Sequence, residues 1–384
     1  MKIAKRVLEI TDSPTLAIDA KAKEMQKQGI NVISFGVGEP DFDTPVNIKE
    51  AGIKAIRDGF TKYTAASGID DLKEAVCRKF RKDNGLEYDK SRILISCGAK
   101  HSLHNIFMAV CEPGDEVIIP APYWVTYPEQ VKMADGVPVF LKTEEKDNFR
   151  INPSELEKKI TKKTVALILN DPGNPTGMVY DEQLLREIGR ICLKHKFWIV
   201  SDEVYEKLIY DGGKHYSIAA FGEEYKSRTI VVNAASKTYS MTGWRIGYLA
   251  GPKDVVKAMS NLQSHATSNP TSFAQKAAVA ALDGPEDDLK KMHAEFDKRR
   301  KYMVERLRRM KGITCLMPGG AFYTFPNISK LNIPSMAFAE KCLNDAKIAV
   351  VPGVAFGAEG YIRLSYATSM EKITEGMNRL EAIL

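Results

Sequence analysis

The sequence predicts an α/β fold, with a large domain built on a mostly parallel, doubly wound sheet and a smaller α+β domain. Between about residues 90 and 250, short β-branched runs alternate with helical patterns, which is typical of a parallel sheet covered by helices. From about residue 285 the alternation gives way to a long charged helix and shorter strand-like runs. The length of 384 residues also suggests about two domains.

The strand-like runs of the first region are, in order, RILISC, DEVIIP, VPVFL, TVALILN, FWIVS, TIVVN and GYLAG. Apolar residues at helical spacing predict two of the intervening helices, one through Leu103, Ile106, Phe107 and Val110, the other through Leu184, Ile188, Ile191 and Cys192. The second region predicts a helix ending near Gly312, a strand at AFYTF, a helix over 335–346, and strands at KIAVVPG and YIRLSY. We therefore predict an N-terminal arm (1–14), a large cofactor-binding domain (46–285) and a small domain (15–45 and 286–384).

Composition argues against several classes of protein. The net charge of +6 comes from 55 basic and 49 acidic residues spread along the chain, without a recognisable nucleic-acid-binding module. The six cysteines show no CxxC spacing, the six histidines show no metal-ligand pattern, and no apolar run approaches the length of a membrane span. We expect a cytoplasmic protein with reduced cysteines that binds no nucleic acid, membrane or metal.

Polar residues follow five of the predicted strands, at the edge where open parallel sheets bind ligands. An amine, an amide, a carboxylate, a phenol, an aromatic wall and a strand-to-helix turn that suits a phosphate would meet there. In chain order these residues are Gly98, Ala99, Lys100, Trp124, Asn174, Asp202, Tyr205, Lys237 and Arg245. Asp202 and Tyr205, three residues apart, could share one helical face. Each residue alone has an ordinary structural explanation, such as a turn, a helix cap or a core position.

Together these groups fit pyridoxal 5'-phosphate, which needs a lysine for a Schiff base, a carboxylate at its ring nitrogen, donors to its phenolate oxygen and an anion site for its phosphate. The order and spacing of the motifs GEPDFDTP, TKYTAASG, NDPGNPTG, SDEVY, SKTYSMTGWRIGY and RLSYATS extend the match over nearly the whole chain. The chain resembles the fold-type I, class I aminotransferases, and among them it is most similar to the bacterial aspartate aminotransferases.

The resemblance implies a cofactor role for each of these residues. Lys237 would form the Schiff base and then move the proton at the substrate Cα, and Asp202 would pair with the pyridinium nitrogen. Tyr205 and Asn174 would donate to the phenolate oxygen, and Trp124 would stack on the ring. The phosphate would be held by Arg245, helped by the backbone N–H groups near Gly98 and Ala99.

The resemblance also implies how substrate is bound. Arg363 would bind the substrate α-carboxylate, Gly38 would let the backbone approach it, and Trp124 and Asn174 would border the same space. Tyr63 resembles a phenol that reaches the phosphate of a neighbouring subunit, which implies a homodimer with shared active sites.

Two positions leave alternatives open. Ala234 stands where the family usually has serine or glycine, so one hydroxyl contact to the phosphate would be missing unless Ser236 replaces it. Lys100 either reads the distal carboxylate of the substrate, the reading we favour, or contacts the phosphate.

The function implied is an aminotransferase that moves the amino group of L-aspartate to 2-oxoglutarate in a ping-pong cycle between pyridoxal and pyridoxamine phosphate. Its substrates would be amino acids and 2-oxo acids. Aromatic amino acids, alanine and prephenate stay open as alternative substrates. A pyridoxal-phosphate-dependent lyase on the same fold and a non-catalytic regulator are the other classes.

Overall fold

The computed structural model of this protein describes residues 2–10 and 14–384. The strands are β1 (Ile33–Ser34), β2 (Ile93–Ser96), β3 (Glu116–Ala121), β4 (Val137–Lys142), β5 (Thr164–Asn170), β6 (Trp198–Asp202), β7 (Thr229–Ala234), β8 (Gly247–Ala250), β9 (Tyr323–Thr324), β10 (Ile348–Ala349), β11 (Val351–Pro352) and β12 (Ile362–Ser365). The large sheet has its strands in the order β2-β8-β7-β6-β5-β3-β4. Every neighbouring pair in it is parallel except β2–β8 and β7–β8.

Helices cover both faces of this sheet and form most of the smaller unit. Their bounds are α1 (Lys5–Leu8), α2 (Pro14–Lys27), α3 (Val46–Arg57), α4 (Asp70–Lys79), α5 (Ala99–Val110), α6 (Thr126–Met133), α7 (Pro153–Lys159), α8 (Glu182–His195), α9 (Glu223–Lys226), α10 (Ala235–Thr238), α11 (Lys253–Ala266), α12 (Ser272–Asp283), α13 (Asp287–Arg309), α14 (Ser335–Asp345) and α15 (Met370–Glu381).

The two faces of the sheet are buried in separate cores, because successive side chains of a strand point to opposite faces. In β7, Ile230 and Val232 join the core formed with α5, α6 and α11, whereas Val231 joins the core formed with α4 and α12. A third core packs α7 and α8 against β5 and β6. The predicted fold, a mostly parallel and doubly wound α/β sheet, is confirmed.

The smaller unit contains an antiparallel sheet in the order β11-β12-β9 and a parallel pair, β1 with β10. The β1–β10 pair joins the segment near residue 33 to the C-terminal region, so chain from both ends builds this unit. The exact boundaries stay a prediction, and the predicted arm (1–14) includes residues 1 and 11–13, which lie outside the described residues.

One local prediction is wrong: Asp202 and Tyr205 do not share a helix face. Asp202 is the last residue of β6, and the residues after it form turns. Residues 201–206 are all buried, so the segment has no solvent-facing side, and contacts from other elements outweigh its helical spacing.

Candidate active site

A cavity of about 1110 Å³ opens at the carboxyl ends of the parallel strands, where the sequence predicted a site. It lies between the large sheet and the smaller unit, because β12 and β9 also contribute side chains. Eleven of the predicted residues line it: Gly38, Ala99, Lys100, Trp124, Asn174, Asp202, Tyr205, Ser236, Lys237, Arg245 and Arg363. The structure thus brings together residues up to 325 positions apart in sequence, while their individual roles stay predictions.

Lys237 enters the cavity from α10, the single helical turn that follows β7. Its Nζ donates a hydrogen bond to the Gly38 carbonyl oxygen at 2.6 Å. Burial lowers the pKa of the Lys237 amine to about 8, and the positive charges of Arg363 and Arg245 act in the same direction against the opposite effect of Glu39. Roughly a tenth of this amine is therefore neutral, and nucleophilic, at pH 7.

Asp202 presents a buried carboxylate at the end of β6. Its Oδ2 accepts a hydrogen bond from the Tyr127 hydroxyl at 2.7 Å, and its Oδ1 accepts one from the Val204 N–H at 3.3 Å. Burial raises the pKa of Asp202 to about 6, against the lowering effect of the Tyr127 bond. Tyr127 also packs edge-to-face on Trp124, with ring centroids 5.4 Å apart, so one phenol orients both the carboxylate and the aromatic wall.

Arg363 projects from β12 into the buried side of the cavity. Its Nη1 donates to Asn174 Oδ1 at 2.9 Å and its Nη2 donates to the Gly36 carbonyl oxygen at 2.6 Å. Its Nε is buried and has no hydrogen-bond partner, and among the described residues no carboxylate pairs with the guanidinium. A buried cation with an unused donor is suited to an anionic ligand.

The phenols of Tyr205 and Tyr323 meet in the cavity, with their hydroxyl oxygens 2.8 Å apart. Burial raises the pKa of Tyr205 well above its usual value, and Tyr323 adds to the effect. Gly38 lies directly against the Tyr323 hydroxyl, and a Cβ at position 38 would overlap it. The glycine is therefore required to make room for a phenol of this chain.

The part of the cavity lining around Arg245 has the chemistry of an anion site. Arg245 donates to the carbonyl oxygens of Thr242 at 2.8 Å and Cys97 at 3.3 Å, which brings its guanidinium to the N-terminus of α5. Gly98 precedes that helix with φ +86°, and a Cβ there would overlap Arg245. The first-turn N–H groups of α5, its positive dipole end and Arg245 thus converge.

Lys100 and Ser236 lie near this anion site. Nζ of Lys100 is 5.0 Å from the Trp124 ring centroid, and burial, followed by the charge of Arg245, lowers the pKa of its amine. Ala234 ends β7 and also lines the cavity, and the buried Ser236 is the nearby hydroxyl on the same segment.

Two predicted residues lie outside the cavity lining. Gly98 lies next to it through Ala99, but Tyr63 points into solvent with 90% of its surface exposed. Sequence reasoning also missed the contacts made by Tyr127, Tyr323 and Gly36. Tyr127 was visible in APYWVTYP and Tyr323 in AFYTF, yet neither pattern distinguishes a phenol that faces the site from one in the core.

Beneath the site lies a buried charged cluster formed by Glu203, Glu206, His215, Lys79 and Asp171. The Glu203 Oε2 is 3.0 Å from His215 Nε2, and Glu206 pairs with the Lys79 ammonium. His215 Nδ1 lies 3.7 Å from Asp171 Oδ2, and neither atom has another partner. The cluster joins residues adjacent to Asp202 and Tyr205 with the loop that carries Asn174.

Three residues of this cluster are of types that ligate metals. Ligand atoms of Glu203, Glu206 and His215 lie within 4.8 Å of one another. The carboxylates are already engaged by the Lys79 ammonium and by hydroxyl and amide donors, which are those of Asn84, Ser201, Ser217 and Asn233. The Lys79 ammonium and a protonated His215 thus offset the charges of the two glutamates, and the absence of a bound metal stays a prediction.

Replacing His215 with glutamine should change how stability depends on pH. Burial by itself lowers the pKa of His215, but Glu203, Asp171 and Glu206 outweigh it and raise the pKa to about 9. Because this folded-state pKa exceeds the unfolded value, the stabilisation is complete below about pH 6.5 and is lost as pH rises through about 9.

Urea unfolding of both proteins from pH 6 to 10 tests this expectation. The difference in unfolding free energy should shrink with rising pH, by at most about 1.4 kcal/mol per pH unit. A difference that is the same at pH 6.5 and 9.5 would contradict a charged His215.

Comparison with known proteins agrees with this geometry. Residues 30–380 match the family described as aminotransferase class I and II. The chain is 49% identical over 391 residues to an aspartate aminotransferase from Geobacillus stearothermophilus, covering 100% of this chain and 99% of that protein. It is 47% identical over 388 residues to a probable aspartate/prephenate aminotransferase from Aquifex aeolicus (strain VF5), covering 100% and 98%.

A solved structure agrees equally well. The aspartate aminotransferase from Thermus thermophilus with maleate superposes with a TM-score of 0.97 at 40% identity, covering 100% of both chains. The fold and the site are those of a transferase with an α/β fold, and the sequence predicted both. The chain belongs to the class I and II aminotransferase family, and it is an enzyme that transfers amino groups.

No helix in the described part of the chain is long and apolar enough to cross a membrane.

Proposed function

We propose that this aminotransferase uses pyridoxal 5'-phosphate and moves the amino group of L-aspartate to 2-oxoglutarate. The observation that carries the proposal is that Arg363, buried and without a carboxylate partner among the described residues, shares one cavity with the Lys237 amine. An arginine fork in that position suits a carboxylate beside a reacting amino group. The aspartate aminotransferases among the relatives support the choice of substrate.

The residues of the cavity fit pyridoxal phosphate. The N-terminus of α5 and Arg245 suit its phosphate, and the absence of a Cβ at Gly98 keeps that cradle open. The Asp202 carboxylate, whose pKa burial raises, would be stabilised in its ionised form by a protonated ring nitrogen. Trp124 offers a ring face held in place by Tyr127.

Pyridoxal phosphate, when bound, supplies an aldehyde that condenses with amines and a ring that withdraws electrons from the substrate Cα. The chain's own residues hold the substrate and move its proton. Arg363 fixes the α-carboxylate, so the Cα–H bond is presented to the Lys237 side. Lys237 Nζ, with its lowered pKa, takes that proton as a general base and then returns it as a general acid.

The test of the proposed function is a half-reaction titration of the purified holoenzyme. Several amino acids are mixed with it separately, and the loss of the cofactor's visible absorbance is followed. Rapid conversion by aspartate and glutamate, with slow conversion by phenylalanine and alanine, supports the proposal. Fastest conversion by an aromatic or small apolar amino acid keeps the reaction but overturns the substrate, and no visible absorbance with added cofactor overturns the cofactor assignment.

Lys100 is the residue that we propose to read the distal carboxylate of the substrate. Its amine faces the cavity over Trp124 without a carboxylate partner among the described residues. A solved relative bound to maleate, which has two carboxylates, is consistent with such a site. Prephenate also carries two carboxylates, so it stays the alternative that this amine accommodates best.

Replacing Lys100 with threonine should weaken dicarboxylic substrates selectively. We expect kcat/KM for aspartate to fall by roughly 10- to 100-fold, the usual range for one charged hydrogen bond, while kcat/KM for alanine changes little. The measurement is steady-state kinetics with both amino acids at saturating cofactor. An equal loss for all substrates, together with weaker cofactor binding, would instead make Lys100 a phosphate ligand.

We further propose a homodimer in which Tyr63 completes the active site of the partner subunit. An aromatic side chain that is 90% exposed is unusual, and Val46 and Ile56 of the neighbouring α3 are exposed as well. A phenol displayed in this way is suited to contact a phosphate bound by a second copy of the chain.

Mixing two defective variants should restore activity if the sites are shared. A subunit with Lys237→Ala and a subunit with Tyr63→Leu form one native site in the mixed dimer. After dissociation and reassociation of equal amounts, we expect activity up to about a quarter of that of the unaltered protein. Activity equal to the mean of the two separate variants would contradict shared sites, as would a monomer in gel filtration.

A further inference from the structure

Tyr323 on β9 contacts three residues of the site, which are Tyr205, Arg363 and Gly38. Its hydroxyl oxygen is 2.8 Å from that of Tyr205, its ring centroid is 4.5 Å from the Arg363 guanidinium carbon, and its tip fills the space that the missing Cβ of Gly38 leaves. Only 1% of the Tyr323 surface is exposed to solvent. Its backbone pairs with Ser365 of β12, which lies two residues from Arg363.

The ring of Tyr323 helps to hold the cation of Arg363. Among the described residues the guanidinium has carbonyl and amide oxygens but no carboxylate as partners. Tyr323 and Phe356, at 4.5 and 5.0 Å, provide aromatic faces whose negative quadrupole partly replaces an anion. These contacts fix the plane of the fork before a carboxylate arrives.

The hydroxyl of Tyr323 has a different partner. Its bond to Tyr205 can be donated in either direction, but each hydroxyl has only one proton. If Tyr205 donates to the ring oxygen of the cofactor, it must accept from Tyr323, which makes Tyr205 the stronger donor because consecutive hydrogen bonds polarise one another.

We propose that Tyr323 is a positioning residue that acts through two different groups. Its ring orients Arg363 for the substrate carboxylate, and its hydroxyl orients Tyr205 and makes it a stronger hydrogen-bond donor. This inference rests on the proposed function, since it assumes that Tyr205 faces bound pyridoxal phosphate. Because the ring and the hydroxyl of Tyr323 have different roles in this inference, two substitutions test the two roles separately.

Tyr323→Phe removes only the hydroxyl, and Tyr323→Leu removes the ring as well. For Tyr323→Phe we expect maleate, a dicarboxylate that cannot react, to bind within about two-fold of its unaltered affinity, because the aromatic face remains. The pKa obtained from the pH dependence of the cofactor's visible absorbance should rise by roughly half a unit, because Tyr205 becomes a weaker donor to the ring oxygen. For Tyr323→Leu we expect the same rise in this pKa, together with roughly ten-fold weaker maleate binding.

Absorbance titrations of the holoenzymes give both quantities, and further variants serve as controls. Tyr366→Phe removes another buried hydroxyl, bonded to the Ala321 carbonyl oxygen and outside the cavity lining, and should change neither quantity. In a Tyr205→Phe background, Tyr323→Phe should not change this pKa further, because the Tyr205 hydroxyl through which Tyr323 acts is absent.

The outcomes distinguish this inference from the proposed function. If the unaltered protein shows no visible absorbance with pyridoxal phosphate, the proposed function fails first. If it titrates normally but Tyr323→Phe leaves the pKa unchanged, or shifts it equally in the Tyr205→Phe background, the role of the hydroxyl is overturned. Equal maleate affinity in Tyr323→Leu and Tyr323→Phe overturns the role of the ring.

Discussion

Replacing Lys237 with alanine should reduce turnover by at least about 10⁴-fold, because it removes both the nucleophilic amine and the group that moves the substrate proton. The visible absorbance that reports the lysine-bound cofactor should also be lost. The fold should remain, since the amine is a desolvated cation whose pKa burial lowers to about 8, and its removal relieves an unfavourable burial. The measurement combines steady-state kinetics, absorbance and thermal unfolding.

Two controls make this expectation specific. Lys237→Arg keeps a positive charge but not an amine that can become neutral, so it should be as inactive as the alanine variant. Lys301→Ala removes an exposed lysine of α13 and should leave turnover unchanged. Retention of more than a few per cent of the activity by Lys237→Ala, with the fold intact, would refute the assignment of the catalytic lysine.

Replacing Arg363 with lysine should raise KM for amino acid substrates by roughly 100-fold, with a smaller change in kcat. The guanidinium uses Nη1 on Asn174 and Nη2 on Gly36, and an ammonium cannot make both bonds and also present a planar fork to a carboxylate. Loss of the bond to Asn174 should also release that amide from its present orientation. Initial rates over a range of aspartate concentrations measure both constants.

Arg299→Lys is the matched control for Arg363→Lys. Arg299 is also buried, but it bonds to Asp41 and Glu295 and does not line the cavity. We expect it to change thermal stability more than KM. An unchanged KM in Arg363→Lys, with a lower kcat alone, would mean that Arg363 does not bind the substrate in the ground state.

The large sheet was predictable because its strands are buried on both faces. Runs such as TVALILN and TIVVN therefore consist almost entirely of apolar, β-branched residues, and their strong local signal needs no tertiary information. The rule that ligands bind at the carboxyl ends of such strands then identified Asn174, Asp202 and Lys237 as neighbours. Arg363 was different, since only a resemblance to a known family connected it to the site.

Short polar segments were predictable to a lesser extent. The spacing of Asp202 and Tyr205 indicated a helix, but the segment forms turns because Glu203 and Glu206 are drawn into the buried cluster with Lys79 and His215. Gly38 was predicted to let the backbone approach substrate, which stays a prediction, and no sequence pattern indicated that its missing Cβ also makes room for Tyr323. In both cases the deciding partner comes from a distant part of the chain.

The sequence by itself determined the fold class, the strands and helices of the sheet and the residue types at its ligand-binding edge, because these depend on local periodicity and on a general rule of sheet topology. The tertiary structure alone decided the pairing of Tyr205 with Tyr323, the contact of Tyr127 with Asp202 and the buried charges around His215. Such contacts join side chains that lie 12 to 118 residues apart. They depend on how separate elements pack, and no pattern along one element encodes them.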